Sequence, residues 1–291
     1  MHDPHKDPHL DELSGVSTTG HEWDGIKELN NPLPRWWVVS FYACIVWALI
    51  YTVFYPAWPL LTSATTGVLR YSSRADVRSE LAAAEAARSG YVAAIKAADM
   101  QQILADETLR TVATAAGNAA FKVNCIQCHG SGAQGSKGFP NLNDDDWLWG
   151  GTPEQILTTI AHGVRAREDA DTHVSEMPAF GDILKPAEIA SVATFVADLP
   201  KGTGFPAETT PGAQIFAQNC ASCHGDRGEG NQEMGAPNLD DTLSLLVDGE
   251  DAIAAQIRAP KHGVMPAWGG RLGDVTVKEL AAYVYSLGGG K

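Results

Sequence analysis

Apolar positions follow three regimes along the chain: a continuous run, a polar stretch, and then periodic spacing. The run is Trp36 to Tyr55, 20 residues without a charged side chain. As a helix it spans roughly 30 Å, the thickness of a bilayer's hydrocarbon core. Trp36 and Trp37 stand at one end and Tyr51, Tyr55 and Trp58 at the other, as aromatic belts do at the two interfaces. Pro56 and Pro59 end the helix, so residues 36–58 are predicted to be a single membrane anchor. A cleaved leader fits poorly: 35 residues precede the run, they are acidic, and no A-x-A site follows. Cys44 lies inside the span and reads as a small apolar filler. Lys27 and Arg35 on one side balance Arg70 and Arg74 on the other, so flanking charge sets no orientation.

Residues 1–35 form a polar tail of net charge −4. Its His2, His5, His9 and His21 read as solvated side chains rather than a ligand set. Residues 59–107 are a linker and spacer. The part from 62 to 74 is rich in Thr, Ser and Gly, and Ala75 to Asp106 is rich in Ala, Glu, Arg and Gln and favours helix, with Gly90 expected to divide it.

Periodic spacing then appears twice. Phe121 to Gly130 (FKVNCIQCHG) matches Phe216 to Gly225 (FAQNCASCHG), and Gly117 and Gly212 each stand eight residues before the first Cys. Pro140-Asn141-Leu142 answers Pro237-Asn238-Leu239, and Met177-Pro178-Ala179-Phe180-Gly181 answers Met265-Pro266-Ala267-Trp268-Gly269. Landmarks in one order, twice, indicate a duplicated domain of about 90 residues, placed at 108–200 and 207–291 with a Gly/Pro join from Pro200 to Pro211. Ile189, Val192, Ala193 and Val196 have the i, i+3, i+4, i+7 spacing of a helix, as do Leu280, Tyr283, Val284 and Leu287. Thr152 with Gln155, Thr210 with Pro211, and Thr276 with Glu279 read as helix starts. The predicted fold is mainly α: one N-terminal transmembrane helix followed by two tandem cytochrome c-like helical domains.

Net charge is −14, which argues against a nucleic-acid binder. From Thr108 onward 13 basic and 22 acidic residues give a surface suited to a basic partner. Asp144-Asp145-Asp146-Trp147 is either part of such a docking face or a capped turn with a packed Trp. Four of the five cysteines fall in two C-x-x-C-H motifs, the attachment sequence for c-type haem. Two thiols three positions apart on a helical turn each form a thioether to one porphyrin edge, and the next His falls under the iron. Cys125, Cys128 and His129 thus hold one haem, and Cys220, Cys223 and His224 a second. A closed zinc site needs four N or S ligands, and no further Cys remains in either copy. A thioredoxin-like pair needs a βαβ context that the sequence lacks.

The sixth ligands are Met177, 48 positions after His129, and Met265, 41 after His224. Thioether ligation raises the potential. Met234 has no counterpart in copy one, Met100 lies outside the repeat, and His162, His173 and His262 are the bis-His alternatives. The simpler pairing sets Met177 on the first haem and Met265 on the second, although spacing alone leaves exchange between the copies open. His129, Met177, His224 and Met265 are then the iron ligands. Haem attachment of this type takes place outside the cytoplasmic membrane, which orients the tail inside and the repeat in the periplasm.

Asp24-Gly25-Ile26, then Glu28 to Trp37 (ELNNPLPRWW), then one span ending in Tyr55-Pro56, resemble the start of the dihaem subunit III of cbb3-type cytochrome c oxidases. The acidic Trp loop, both C-x-x-C-H motifs and both Met-Pro sites are similar too. The resemblance implies an electron-entry subunit of a proton-pumping oxidoreductase in a bacterial inner membrane. Its partners are a donor cytochrome c, a monohaem cytochrome c subunit, a haem–copper catalytic subunit and membrane lipid. The oxygen-reduction site is not on this chain. Three other readings remain: a free anchored dihaem cytochrome serving other reductases, distinguished by the absence of co-purifying haem b and copper; a dihaem peroxidase, distinguished by peroxide turnover; and a haem-based sensor, distinguished by tight CO binding to the reduced chain.

Overall fold

The computed structural model describes residues 9–11, 13–201, 210–241, 247 and 249–289. His2, His5 and positions 202–209 of the Gly/Pro join lie outside the described residues. The chain divides into two units, residues 1–86 and 87–291.

In the first unit β1 (Thr18–Trp23) and β2 (Ile26–Leu29) pair antiparallel. The turn between them is Asp24-Gly25, both at positive φ (51° and 84°). A two-residue turn of this hand matches the twist of the strands it joins. This segment is expected from composition to be only a polar tail; the Asp-Gly pair is the signal for the hairpin. Helix α1 (Arg35–Phe54) follows; none of its residues is buried, and it is long and apolar enough to cross a membrane. It ends where Tyr55 turns extended (φ −117°, ψ 160°), as the residue before Pro56 must. Helix α2 (Ser73–Ala97) begins in the first unit and ends in the second. Gly90 does not divide it. A glycine costs a helix about 1 kcal/mol relative to Ala, and the Ala-rich segments on both sides offset that.

The second unit continues with α3 (Met100–Ala105), started by an Asp99–Gln102 capping box, and α4 (Glu107–Asn124), capped by Asp106. Then come α5 (Ile126–His129), α6 (Pro153–His162) behind the expected Thr152–Gln155 box, and α7 (Pro186–Asp198). After the join are α8 (Pro211–Asn219), capped by Thr210 as expected, α9 (Ala221–His224), α10 (Glu250–Arg258) and α11 (Gly269–Ser286). Thr276 does not start the last helix. That helix begins at Gly269 and is interrupted at Gly273 (φ 76°), and Glu279 is buried inside it, paired with Arg88 at 3.2 Å.

Packing does not follow the boundaries 108–200 and 207–291. Helices α4 and α6, from the first copy, pack on α11, from the second. Helices α8 and α10, from the second copy, pack on α7, from the first. Two cores result. One contains Ile103, Phe121, Ile156, Leu280 and Val284; the other contains Phe180, Val192, Phe195, Phe216 and Ile257. The second core is built from one contiguous stretch, and it is inserted between the two parts of the first.

Both cores close at a glycine. A side chain at Gly117 would run into the Glu279 carbonyl, and one at Gly212 into the Ser191 carbonyl. The matched spacing of these glycines ahead of the Cys motifs in the two copies therefore marks where two helix backbones cross in contact.

Lys278 reaches from α11 to the end of α2. Its ammonium donates to the carbonyls of Ile95, Lys96 and Ala98 at 3.2, 3.1 and 2.6 Å. These are carbonyls that a helix end leaves without partners. Lys278→Met is expected to lower the stability of the second unit by about 1–2 kcal/mol, read as a lower midpoint in thermal unfolding of the holoprotein.

Candidate haem sites

The two C-x-x-C-H turns have one construction. Helix α4 ends at Cys125, and the N–H groups of Cys128 and His129 both donate to the Cys125 carbonyl, at 3.1 and 2.9 Å. Helix α8 ends at Cys220, and Cys223 and His224 repeat these bonds to its carbonyl at 3.1 and 2.9 Å. One tight helical turn thus carries both thiols and the imidazole. None of the four cysteines is in a disulfide.

Each imidazole is oriented from behind. His129 Nδ1 lies 3.0 Å from the Pro140 carbonyl and His224 Nδ1 lies 3.1 Å from the Pro237 carbonyl. A carbonyl only accepts, so Nδ1 carries the proton and donates. The Nε2 lone pair is left for a metal. These prolines belong to the repeated Pro-Asn-Leu landmark. The sequence alone gives the landmark no role; its recurrence after each His, 11 and 13 positions on, is the signal.

Burial pushes both imidazoles below their ordinary pKa, with the bonds to Pro140 and Pro237 opposing it. Burial also raises the Cys125 and Cys220 thiols to about 11, with a smaller contribution from Cys128 and Cys223 respectively. At neutral pH Cys125 and Cys220 are therefore uncharged thiols.

The methionines arrive crosswise. Met265 pairs through its backbone with Val164, N–H to carbonyl at 2.9 Å in both directions, and packs on the core of Phe121 and Cys125. Met177 packs on the core of Phe216 and Cys220. The same-copy pairing expected from the sequence is not what the packing brings together. The physical reason is the helix exchange: each Met precedes the helix that closes the other copy's core. Two of the rival histidines are engaged elsewhere. His162 Nδ1 lies 3.1 Å from Asp169, and His173 stacks on Trp149 with 4.1 Å between ring centroids while its Nε2 lies 3.2 Å from the Thr159 hydroxyl. Met100 is buried in the first core, and Met234 is exposed in a turn.

Each core thus offers two thiols for attachment, one imidazole nitrogen and one thioether sulfur. That donor set fits a six-coordinate c-type haem. In the acidic loop, the Trp147 indole donates to the Gly289 carbonyl at 2.6 Å and its ring packs on the first core. Burial raises the Asp144 and Asp146 carboxyls above the ordinary range, and Asp241 adds to the effect at Asp146.

Residues 15–62 match the family described as the N-terminal domain of cytochrome oxidase-cbb3, FixP, and residues 112–196 and 207–284 match cytochrome c oxidase, cbb3-type, subunit III. The chain belongs to the cbb3-type cytochrome c oxidase subunit III family. It is 59% identical to the cbb3-type cytochrome c oxidase subunit FixP of Rhizobium meliloti (strain 1021) across the full length of both chains. It is 54% identical to the FixP of Bradyrhizobium diazoefficiens over 97% of this chain and 98% of that one, and 45% identical to the subunit CcoP of Cereibacter sphaeroides over 94% and 95%. Subunit III is an electron-transfer subunit of the oxidase, with two cytochrome c domains in sequence and a membrane association carried by one apolar helix. The two matched segments follow the sequence copies, whereas the cores interleave them.

Proposed function

We propose that the chain holds two covalently attached c-type haems, one on Cys125, Cys128 and His129 capped by Met265, the other on Cys220, Cys223 and His224 capped by Met177. The observation that carries this reading is what packs on the two cores: against each lie the first Cys of one C-x-x-C-H turn and the Met of the opposite copy. When bound, the haems supply reversible one-electron iron chemistry. The chain's own residues do the rest. The thiols fix the porphyrin edges, the carbonyls of Pro140 and Pro237 hold each imidazole in the ligating tautomer, and the thioethers raise the potentials. With both axial positions taken, no iron is left open for oxygen, which assigns oxygen chemistry to another subunit.

In this reading helix α1 crosses a bacterial inner membrane once, and the second unit lies in the periplasm. The acidic surface attracts a basic donor cytochrome c and speeds its encounter. Electrons leave toward a monohaem cytochrome c subunit and the haem–copper catalytic subunit. The test is purification of the detergent-solubilised complex. The expected result is two covalent haems on this chain by pyridine haemochrome analysis, together with co-purifying haem b and copper. Fewer than two covalent haems, or a chain that purifies alone from native membranes, overturns it.

A further inference from the structure

The chain passes between its two cores at residues 163–173, and Arg165 sits at that passage. Its backbone is in the left-handed region (φ 52°), where a side chain this large is rarely found, and its N–H donates to the His173 carbonyl at 2.7 Å. The side chain is half-buried. Nε donates to the Gly263 carbonyl at 2.7 Å, and Nη1 donates to the Ser175 carbonyl at 2.7 Å. Ser175 stands two residues before Met177, and Gly263 two residues before Met265. One guanidinium therefore bonds both methionine loops at the same point of each. The preceding residue, Val164, is the one paired through its backbone with Met265.

We propose that Arg165 is a positioning residue shared by the two iron sites: it fixes both axial-methionine loops at once and so makes the ligation of one iron depend on the same side chain as the ligation of the other. The proposal rests on Met177 and Met265 being the axial ligands. The planar fork is what the position requires. Its Nε and Nη1 point in fixed, diverging directions and serve two carbonyls from separate loops, whereas an ammonium offers a single point of donation on a flexible stem. Both bonds go to backbone, so they hold the loops whatever side chains the loops carry. Without the fork each loop loses a charge-assisted hydrogen bond two residues from its sulfur, and each thioether–iron bond loosens. Because thioether ligation raises the potential, both potentials then fall.

The test uses the full-length holoprotein with Arg165→Lys, which keeps the charge and removes the fork, and Arg165→Gln, which removes both. Covalent haem content verifies that each variant matures with two haems. The readouts are the far-red thioether–iron band of the ferric protein and a potentiometric titration of the two haems. The expected result is loss of band intensity at both irons and a downward shift of both potentials in Arg165→Lys as well as in Arg165→Gln, with Arg167→Lys, an exposed neighbour, unchanged. A change at one iron alone, or no change in either variant, overturns the proposal. Met177→Ala and Met265→Ala separate its failure from that of the underlying reading. If these abolish the band and the Arg165 variants do not, the Arg165 proposal falls alone; if these leave the band intact, the axial assignment falls and the proposal with it.

Discussion

Gly117→Val is expected to open the first core and release the C-terminal helix, with the second core left closed. The position has no room for a side chain. A Cβ there would meet the carbonyl of Glu279 and lie 2.8 Å from Tyr283 Cβ, and the first of these is backbone of α11, which cannot rotate away. Ordinary overpacking costs about 1–3 kcal/mol, and a clash between two helix backbones at a buried crossing lies at or above the top of that range. Limited proteolysis checks the outcome: cleavage is expected to begin after Met265, in the segment that includes Ala281 and Val284, while α7 and α8 stay protected. Gly212→Val should give the mirror result, because a side chain there meets the Ser191 carbonyl and lies 2.8 Å from Phe195 Cβ of α7. Were each copy packed on itself, Gly117→Val would expose α7 instead.

Met265→Ala is expected to strip the sulfur from the iron of the haem that Cys125 and Cys128 would hold, although the methionine lies in the other copy. That iron then becomes five-coordinate, its potential drops, and the reduced protein binds CO at one haem. The neighbouring haem keeps both ligands through His224 and Met177. The physical basis is placement. Met265 is held by two backbone hydrogen bonds to Val164, the Trp268 N–H donates to the Ile160 carbonyl at 3.1 Å, and both contacts tie its loop to the end of α6 in the first core. A potentiometric titration should show one midpoint displaced and one retained. Displacement of both, or of neither, is incompatible with a thioether that serves a single iron.

The amino-acid sequence showed the parts of this molecule more readily than their partnership. The apolar helix, the repeat and the two C-x-x-C-H turns were legible because each rests on local spacing: an uncharged run, or a motif at a matched landmark. The exchange was not legible, because the closing helices are interchangeable by pattern. Ile189, Val192 and Ala193 in α7 are spaced as Leu280, Tyr283 and Val284 are in α11, so periodicity accepts either helix against either partner. The chain crosses between the cores twice, over the 15 positions from the end of α6 to Met177 and over the 7 from the end of α10 to Met265, and nothing in the spacing of either link marks it as a crossing. The hairpin around Asp24-Gly25 was missed for a different reason: four- and six-residue strands next to a turn leave little alternation to read.

Glu279 shows what local reading misassigns. Its place three residues after Thr276 suggested a capping box, yet its carboxyl is buried and faces Arg88. Burial lifts its pKa above the usual carboxylate range, with Arg88 opposing. A long-range partner 191 positions away decided the role of a residue whose neighbours suggested another.

The most direct measurement uses the full-length chain with Cys220→Ala and Cys223→Ala, which leaves one covalent haem, on Cys125 and Cys128. Its ferric far-red spectrum is then recorded with Met265→Ala or Met177→Ala added. Crossed ligation predicts that the thioether–iron band disappears with Met265→Ala and survives Met177→Ala. The reverse pattern would contradict it.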